Sequence, residues 1–218
     1  MKLNPPCAIV LFALAALAFL SGCAGPTNLY VHKQALIRYH DSGSYDAEVR
    51  RVADRAINHI RARAASGQTN LAVVLDIDDT AISTWGRLMK DDFARKDEMF
   101  VAWVNTHVDP PIQPILNLYQ ECQRLGVKVF FITGRRTALA ERTRVTLAGA
   151  GYTNPAAIYF RPESDRAKFM APFKTGVRRE ITGQGFLIIA NLGDQDSDLA
   201  GGYAERVFKL PNPFYYTP

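Results

Sequence analysis

Four short segments of this chain carry residues whose types and spacing suit chemistry on an anionic oxygen ester. Asp76-Ile77-Asp78-Asp79-Thr80 puts three carboxylates into four residues. They repel one another, and a bound divalent cation would offset that, with hard ions such as Mg²⁺ preferring oxygen ligands. An acidic helix start is the plainer alternative. Thr133-Gly134-Arg135 offers a hydroxyl and a glycine-opened backbone N–H, a pocket for a phosphate oxygen or simply a strand-to-helix turn. Lys174 follows Pro172 closely, so it sits near a helix start as a point charge for a phosphoryl oxygen, or as an ordinary surface lysine. Asn191-Leu192-Gly193-Asp194-Gln195-Asp196-Ser197-Asp198-Leu199 is the second acidic cluster. Asp194, Asp196, Asp198 and Glu205 fall at positions 1, 3, 5 and 12 of a calcium loop, but Leu199 occupies the place where that loop requires glycine.

The elements that position these residues follow from hydrophobic periodicity. Leu29 to about Tyr39 and Ser44–Ala65 read as helices. The second carries the stripe Val49, Val52, Ala53, Ala56, Ile57 and Ile60, with Ser44 as N-cap and Gly67 as stop. LAVVL (71–75) is a wholly apolar, β-branched run, as a buried parallel strand requires. Residues 81–111 mix aromatic and charged residues and read as a mainly helical insertion. Alternation then sets in: helix 114–125, strand 127–132, helix 137–148, strand 157–160, helix 174–182, strand 186–190 and edge strand 206–210. This rhythm predicts an α/β fold, a doubly wound parallel Rossmann-like sheet with a small helical cap insertion and N-terminal helices. In such sheets ligands bind at the carboxyl ends of the strands, where the motifs fall.

Taken in order, Asp-x-Asp-x-Thr, Thr-Gly-Arg, Lys and Gly-Asp-x-x-Ser-Asp resemble the four-motif pattern of the haloacid dehalogenase superfamily. The flanks FVAWVNTHVDPPIQPILNLYQECQRLGVKVFFITGR, FKTGVRREI and LGDQDSDLAGG are similar to its acid phosphatase branch, which includes bacterial lipoprotein acid phosphatases and plant acid phosphatases or vegetative storage proteins. The resemblance spans most of 28–218. Asp79 and Phe173 depart from it, where the branch often carries Glu and Tyr. It implies metal-dependent hydrolysis of phosphate monoesters, such as nucleoside monophosphates or other small esters. Asp76 would be the nucleophile and Asp78 the general acid and base. Mg²⁺ would be held by Asp76, the backbone carbonyl of Asp78 and Asp194, with Asp198 in support. Thr133, Gly134 and Lys174 would clamp the phosphoryl oxygens. Arg178, one helical turn from Lys174, would orient the site or be a solvated helix residue. Trp85 would stack on a leaving group or pack the insertion. A catalytically weak binding or storage protein on the same fold, and a phosphotransferase, are the rival functions.

At the N-terminus, Met1-Lys2 leads into the apolar run Ala8–Leu20 and then Leu20-Ser21-Gly22-Cys23. The run is too short to span a bilayer comfortably and suits the h-region of a secretory signal. The tetrapeptide resembles a bacterial lipobox, which implies a signal peptide over 1–22, lipid attachment at Cys23, a short tether over 23–28 and a phosphatase domain over 29–218. The expected location is the cell envelope, at the outer membrane facing the periplasm. Loss of Cys7 with the leader and acylation of Cys23 leave Cys122 alone, a small core residue on a helix face with Ile115, Leu118 and Leu125. The net charge is +5, from 26 basic and 21 acidic residues, with no run of five like charges. That argues against a nucleic-acid partner.

Overall fold

The computed structural model describes residues 28–94 and 96–218. The expected leader, Cys23 and the tether before Asn28 lie outside the described residues. β1 (Leu71–Leu75) is buried along its whole length, as its apolar sequence demands. It is the middle strand of a parallel five-stranded sheet in the order β3-β2-β1-β4-β5, with β2 Lys128–Arg136, β3 Ala157–Arg161, β4 Leu187–Gly193 and β5 Val207–Lys209. The chain builds outward from β1 to β3, then returns to the other side of β1 for β4 and β5. This reversal opens a crevice at the carboxyl ends of the central strands.

The helices are α1 Leu29–Asp41, α2 Ser44–Ala64, α3 Trp85–Lys90, α4 Asp97–Thr106, α5 Gln113–Arg124, α6 Ala140–Gly149, α7 Ala171–Gly183 and the one-turn α8 Asp196–Leu199. The sheet belongs to the compact unit Arg38–Pro218, whose limit falls within α1. α2 buries Val49, Val52, Ala53, Ala56 and Ile60, and it packs with α5, which buries Ile115, Leu118 and Cys122. Burial pushes the Cys122 thiol up to about 12, so it is an inert core residue. Val177 and Ile181 of α7 join Ala72, Val74, Phe130, Ile132 and Ile188 in a second core.

Some boundaries differ from the sequence reading. Ser44 is the first helical residue of α2 rather than its cap. Gly43 holds the cap position in the left-handed region at φ 78°, and the Ser44 hydroxyl pairs with that of Ser42 at 2.9 Å. β2 continues through Thr133-Gly134-Arg135 past the end of β1, held by β3, and β4 continues through Asn191-Leu192-Gly193, of which Asn191 and Leu192 also pair with Val74 and Leu75 of β1. Arg136 pairs with Arg161 after a register slip, and Asn191, Leu192 and Gly193 pair with Val207, Phe208 and Lys209. The segment after β1 contains α3 and α4. It leaves and returns at one place, where the Ser83 amide donates to Pro110 O at 2.9 Å and the Ile112 amide to Ala81 O at 2.9 Å.

One irregularity sets the register of the carboxyl end of β4. Ala72 pairs with Ile188 but Val73 pairs with Ala190, so Ile189 is passed over. Its carbonyl instead accepts from His59 Nε2 of α2 at 2.9 Å, which requires the proton on that nitrogen. Replacing His59 by Ala orphans a carbonyl on a fully buried residue. We expect a loss of about 1–3 kcal/mol in urea unfolding, with His59→Gln recovering much of it. Equal midpoints for wild type and His59→Ala would contradict this role.

Candidate active site

Asp76 directly follows β1, and its amide donates to Leu192 O of β4 at 3.1 Å, which seats its side chain in the crevice. Two residues later, Asp78 meets Arg135 of β2 in a bidentate pair, with Arg135 Nε donating to Oδ2 at 3.0 Å and Nη2 to Oδ1 at 2.7 Å. Each Asp78 oxygen keeps a second lone pair, so the pairing fixes the carboxylate plane without using up its acceptor capacity. Arg135 also donates to Thr143 Oγ1 at 3.2 Å and lies 3.8 Å from Asp109, whose Oδ1 accepts from Trp103 Nε1 at 2.8 Å.

Asp79 bends the chain away. Its φ of 54° lies in the left-handed region, which Asp tolerates better than most residues. Its buried carboxylate accepts from the Thr84 amide at 2.8 Å, the Thr84 hydroxyl at 2.5 Å and the Tyr215 hydroxyl at 2.7 Å.

The β4 side supplies two more carboxylates. Asp194 Oδ1 accepts from Thr80 Oγ1 at 3.1 Å, and Oδ2 from Gln195 Nε2 and Asn212 Nδ2, each at 2.6 Å. Asp198 turns back over the start of α8, where Oδ2 accepts from the Gln195 amide at 2.8 Å. Gly193 makes that return possible, since a Cβ there would lie 2.3 Å from the Asp198 Cβ. From the first turn of α7, Lys174 Nζ donates to Asp76 Oδ1 and, at 2.5 Å, to Asp198 Oδ1.

Asp76, Asp194 and Asp198 are buried, and one carboxylate oxygen of each lies within 4.8 Å of the others. Burial drives the Asp76 carboxyl well above its ordinary range against the pull of Lys174, and it lifts Asp194 to about 7. For Lys174 burial opposes the charge, but Asp198 and Asp76 outweigh it and hold the ammonium protonated. Once all three are deprotonated, three carboxylates against one ammonium leave two negative charges, the complement of one divalent cation. An all-oxygen, buried donor set of this kind fits Mg²⁺ chemistry.

Of the residues expected from sequence, Asp76, Asp78, Gly134, Lys174, Asp194 and Asp198 line one cleft of about 310 Å³. Asp198, expected to act in support, puts an oxygen into the carboxylate cluster itself. Thr133 is fully buried beside the cleft. Its Oγ1 accepts from the Arg135 amide at 3.1 Å, a bond that leaves the hydroxyl proton free to be donated.

Arg178 is not a solvated helix arginine. It is fully buried and donates to Asp198 O at 2.6 Å, Gly202 O at 2.9 Å and Ala200 O, fixing the loop that carries Asp198. From sequence Trp85 is open to two roles, a leaving-group contact or packing of the insertion. It stacks on His40 at 3.8 Å, meets Phe214 at 5.1 Å and does not line the cleft. The sequence reading missed Asn212 and Tyr215, which reach Asp194 and Asp79 from the C-terminal segment. It also assigned no role to Arg135, although the residue stands in a quoted motif.

Known proteins share this architecture. Acid phosphatase 1 of Solanum lycopersicum is 32% identical over 176 residues, covering 79% of this chain and 69% of its own. Vegetative storage protein 1 of Arabidopsis thaliana is 28% identical over 181 residues, covering 81% and 67%. In fold, the class C acid phosphatase from Bacillus anthracis superposes with a TM-score of 0.70 at 20% identity, over 84% of this chain and 86% of that one. The profile of the HAD superfamily, subfamily IIIB (acid phosphatase), matches residues 29–218, and the chain belongs to that family.

Proposed function

We propose that this chain hydrolyses phosphate monoesters through an aspartyl-phosphate formed on Asp76, at a site completed by a divalent cation. The observation that carries this reading is the buried set of Asp76, Asp194 and Asp198 with Lys174 between two of them. Asp76 attacks phosphorus as the ester P–O bond breaks, and Asp78 delivers a proton to the departing oxygen. Asp78 then takes a proton from water as that water attacks phosphorus, and the bond to Asp76 breaks to release phosphate. Lys174, the Gly134 amide and the Thr133 hydroxyl hold the phosphoryl oxygens, and Arg135 keeps Asp78 in plane. Asp76, Asp194 and Asp198 would hold Mg²⁺, which when bound offsets charge on the phosphoryl group.

Relatives that include vegetative storage proteins favour a second reading, a catalytically weak protein on the same fold. Nucleoside monophosphates and other small esters are the substrates to assay, and an added alcohol acceptor separates hydrolysis from phosphotransfer. With Mg²⁺ present, Asp76→Asn is expected to lower kcat at least about 10³-fold, and Asp78→Asn about 10²–10⁴-fold. Acid quench with ³²P-labelled ester should trap label on wild type but not on Asp76→Asn. Metal-loaded, folded wild type without turnover on any ester would move the assignment to the storage reading.

The carboxylate cluster also sets a pH dependence for the metal-free protein. Asp194 at about 7 when folded, against about 4 in an unfolded chain, means the native state binds the extra proton between those values. Stability from this group therefore falls as pH rises through 7. Chelator-treated protein should melt lower at pH 8 than at pH 5, and Mg²⁺ should raise Tm more at pH 8. A metal-induced shift equal at both pH values would exclude this linkage.

Lipid anchorage at Cys23, with the domain facing the periplasm from the outer membrane, belongs to the same reading. It is supported by the apolar run and Leu20-Ser21-Gly22-Cys23. Bacterial cells expressing the full chain with an alkyne fatty acid should label wild type and not Cys23→Ser. Equal labelling of both would remove Cys23 as the attachment point.

A further inference from the structure

Beyond the phosphoryl corner, the cleft is lined by cations that this mechanism does not use. Arg87 of α3 lies in the cleft wall, yet it is only 3% exposed. Its Nε is buried and has no hydrogen-bond partner. Its one carboxylate neighbour among the described residues, Asp91, stands 3.6 Å away, with the facing Oδ2 likewise unpartnered. A buried guanidinium nitrogen without an acceptor is costly, and a ligand anion would satisfy it.

Lys96 and Arg136 line the same cleft. Arg136 spends Nη1 on the carbonyls of Pro162 at 2.7 Å and Asp165 at 2.8 Å, and neither residue has a carboxylate within 4.0 Å among the described residues. Away from the catalytic carboxylates, the acid among the described residues that lines this cleft is Asp97, next to Lys96 in the chain. Arg87 and Arg135 also share one ring, their guanidinium carbons standing 5.4 and 5.5 Å from the Phe100 centroid. Arg135 grips Asp78, so this ring links the proton-transfer residue to Arg87. Val101 and Leu139 give the space between an apolar lining.

We infer that Arg87, with Lys96 and Arg136, forms an anion subsite, so the preferred substrates are phosphate monoesters whose leaving group carries a second anionic function on a flat or apolar spacer. The inference rests on the phosphatase reading and narrows its substrate class. The spacer lies against Phe100, the phosphoryl group meets Asp76 and Lys174, and the distal anion meets the Arg87 guanidinium. A leaving group with no distal charge leaves Arg87 Nε unsatisfied and gains less from the same cleft.

Phenyl phosphate and its 4-carboxylate, with the 3-carboxylate as a second geometry, form a matched set that differs only in the distal anion. Wild type with Mg²⁺ should favour a carboxylated ester by about tenfold in kcat/KM, which one charge-assisted contact can supply. Added salt should shrink the ratio. Arg87→Met should bring it close to one, and Arg87→Lys should restore part of it. Lys96→Gln and Arg136→Gln should each lower it, and they keep the test open if Arg87→Met does not fold.

Calorimetry of the same esters on Asp76→Asn with Mg²⁺ reads the subsite without turnover. Turnover of phenyl phosphate with no preference, or a preference unmoved by all three charge removals, overturns the subsite and leaves the phosphatase standing. A binding preference without turnover of any ester overturns the phosphatase and leaves an anion site. Loss of both turnover and preference overturns both.

Discussion

The buried ammonium of Lys174 between Asp76 and Asp198 is the interaction on which the rest of this site depends. Three carboxylates cannot share one buried volume uncompensated, because the Coulomb repulsion among them grows as water is excluded. Lys174 cancels one of the three charges and still leaves a net attraction for a divalent cation. It comes from α7, whose first turn is set by Pro172, while Asp76 follows β1 and Asp198 lies on α8, just beyond the adjacent strand β4. The sheet, the helix start and the charge balance are therefore one constraint. Displacing α7 would unpair two buried carboxylates together.

Much of the remaining structure holds this arrangement still. Arg178, one turn beyond Lys174, binds three carbonyls between Asp198 and Gly202, so the helix carrying the ammonium also carries the clamp for the loop it neutralises. The C-terminal segment ties the site's separate loops together. Asn212 donates to Asp194, Tyr215 to Asp79, the Thr217 amide to Gln195 Oε1 at 2.9 Å, and Pro218 O accepts from the Met170 amide at the start of α7 at 3.0 Å. These bonds reach the ends of β1 and β4 and the cap of α7 from one stretch of chain. Orientation is what phosphoryl transfer asks of a protein, and the strap provides it at three places.

The carboxylates and Lys174 could be placed together from sequence, because each follows an apolar run or a proline that marks where an element ends or begins. The sheet was legible for the same reason, since β1 is uniformly apolar and the later strands alternate with helices. The strap was not. Asn212 and Tyr215 stand in a segment with no period, and their partners lie many residues away, so only the folded chain joins them. Arg135 was visible as a residue but not as a partner, because its pairing with Asp78 follows from β2 running on past the point where the apolar pattern ends. For Trp85 the sequence leaves a leaving-group contact and packing of the insertion both open. His40 and Phe214, drawn from opposite ends of the sequence, build an aromatic stack around it that no local pattern could reveal.

The insertion is fastened in a way that separates chemistry from selectivity. Its entry is knotted by Asp79, which binds Thr84 inside the insertion and Tyr215 of the strap. Its exit is fixed by Asp109, which accepts from Trp103 inside the insertion and faces Arg135 of the sheet. Burial raises both carboxyls, while the hydrogen bonds from Thr84 and Tyr215 to Asp79 and from Trp103 to Asp109 pull the other way. Between these anchors, α3 and α4 present Arg87 and Phe100 to the cleft, while the hydrogen bonds of Lys174 go to Asp76 and Asp198. Residues on these two helices can therefore change what the cleft accepts while the phosphoryl-transfer geometry remains fixed from the sheet, α7 and the strap.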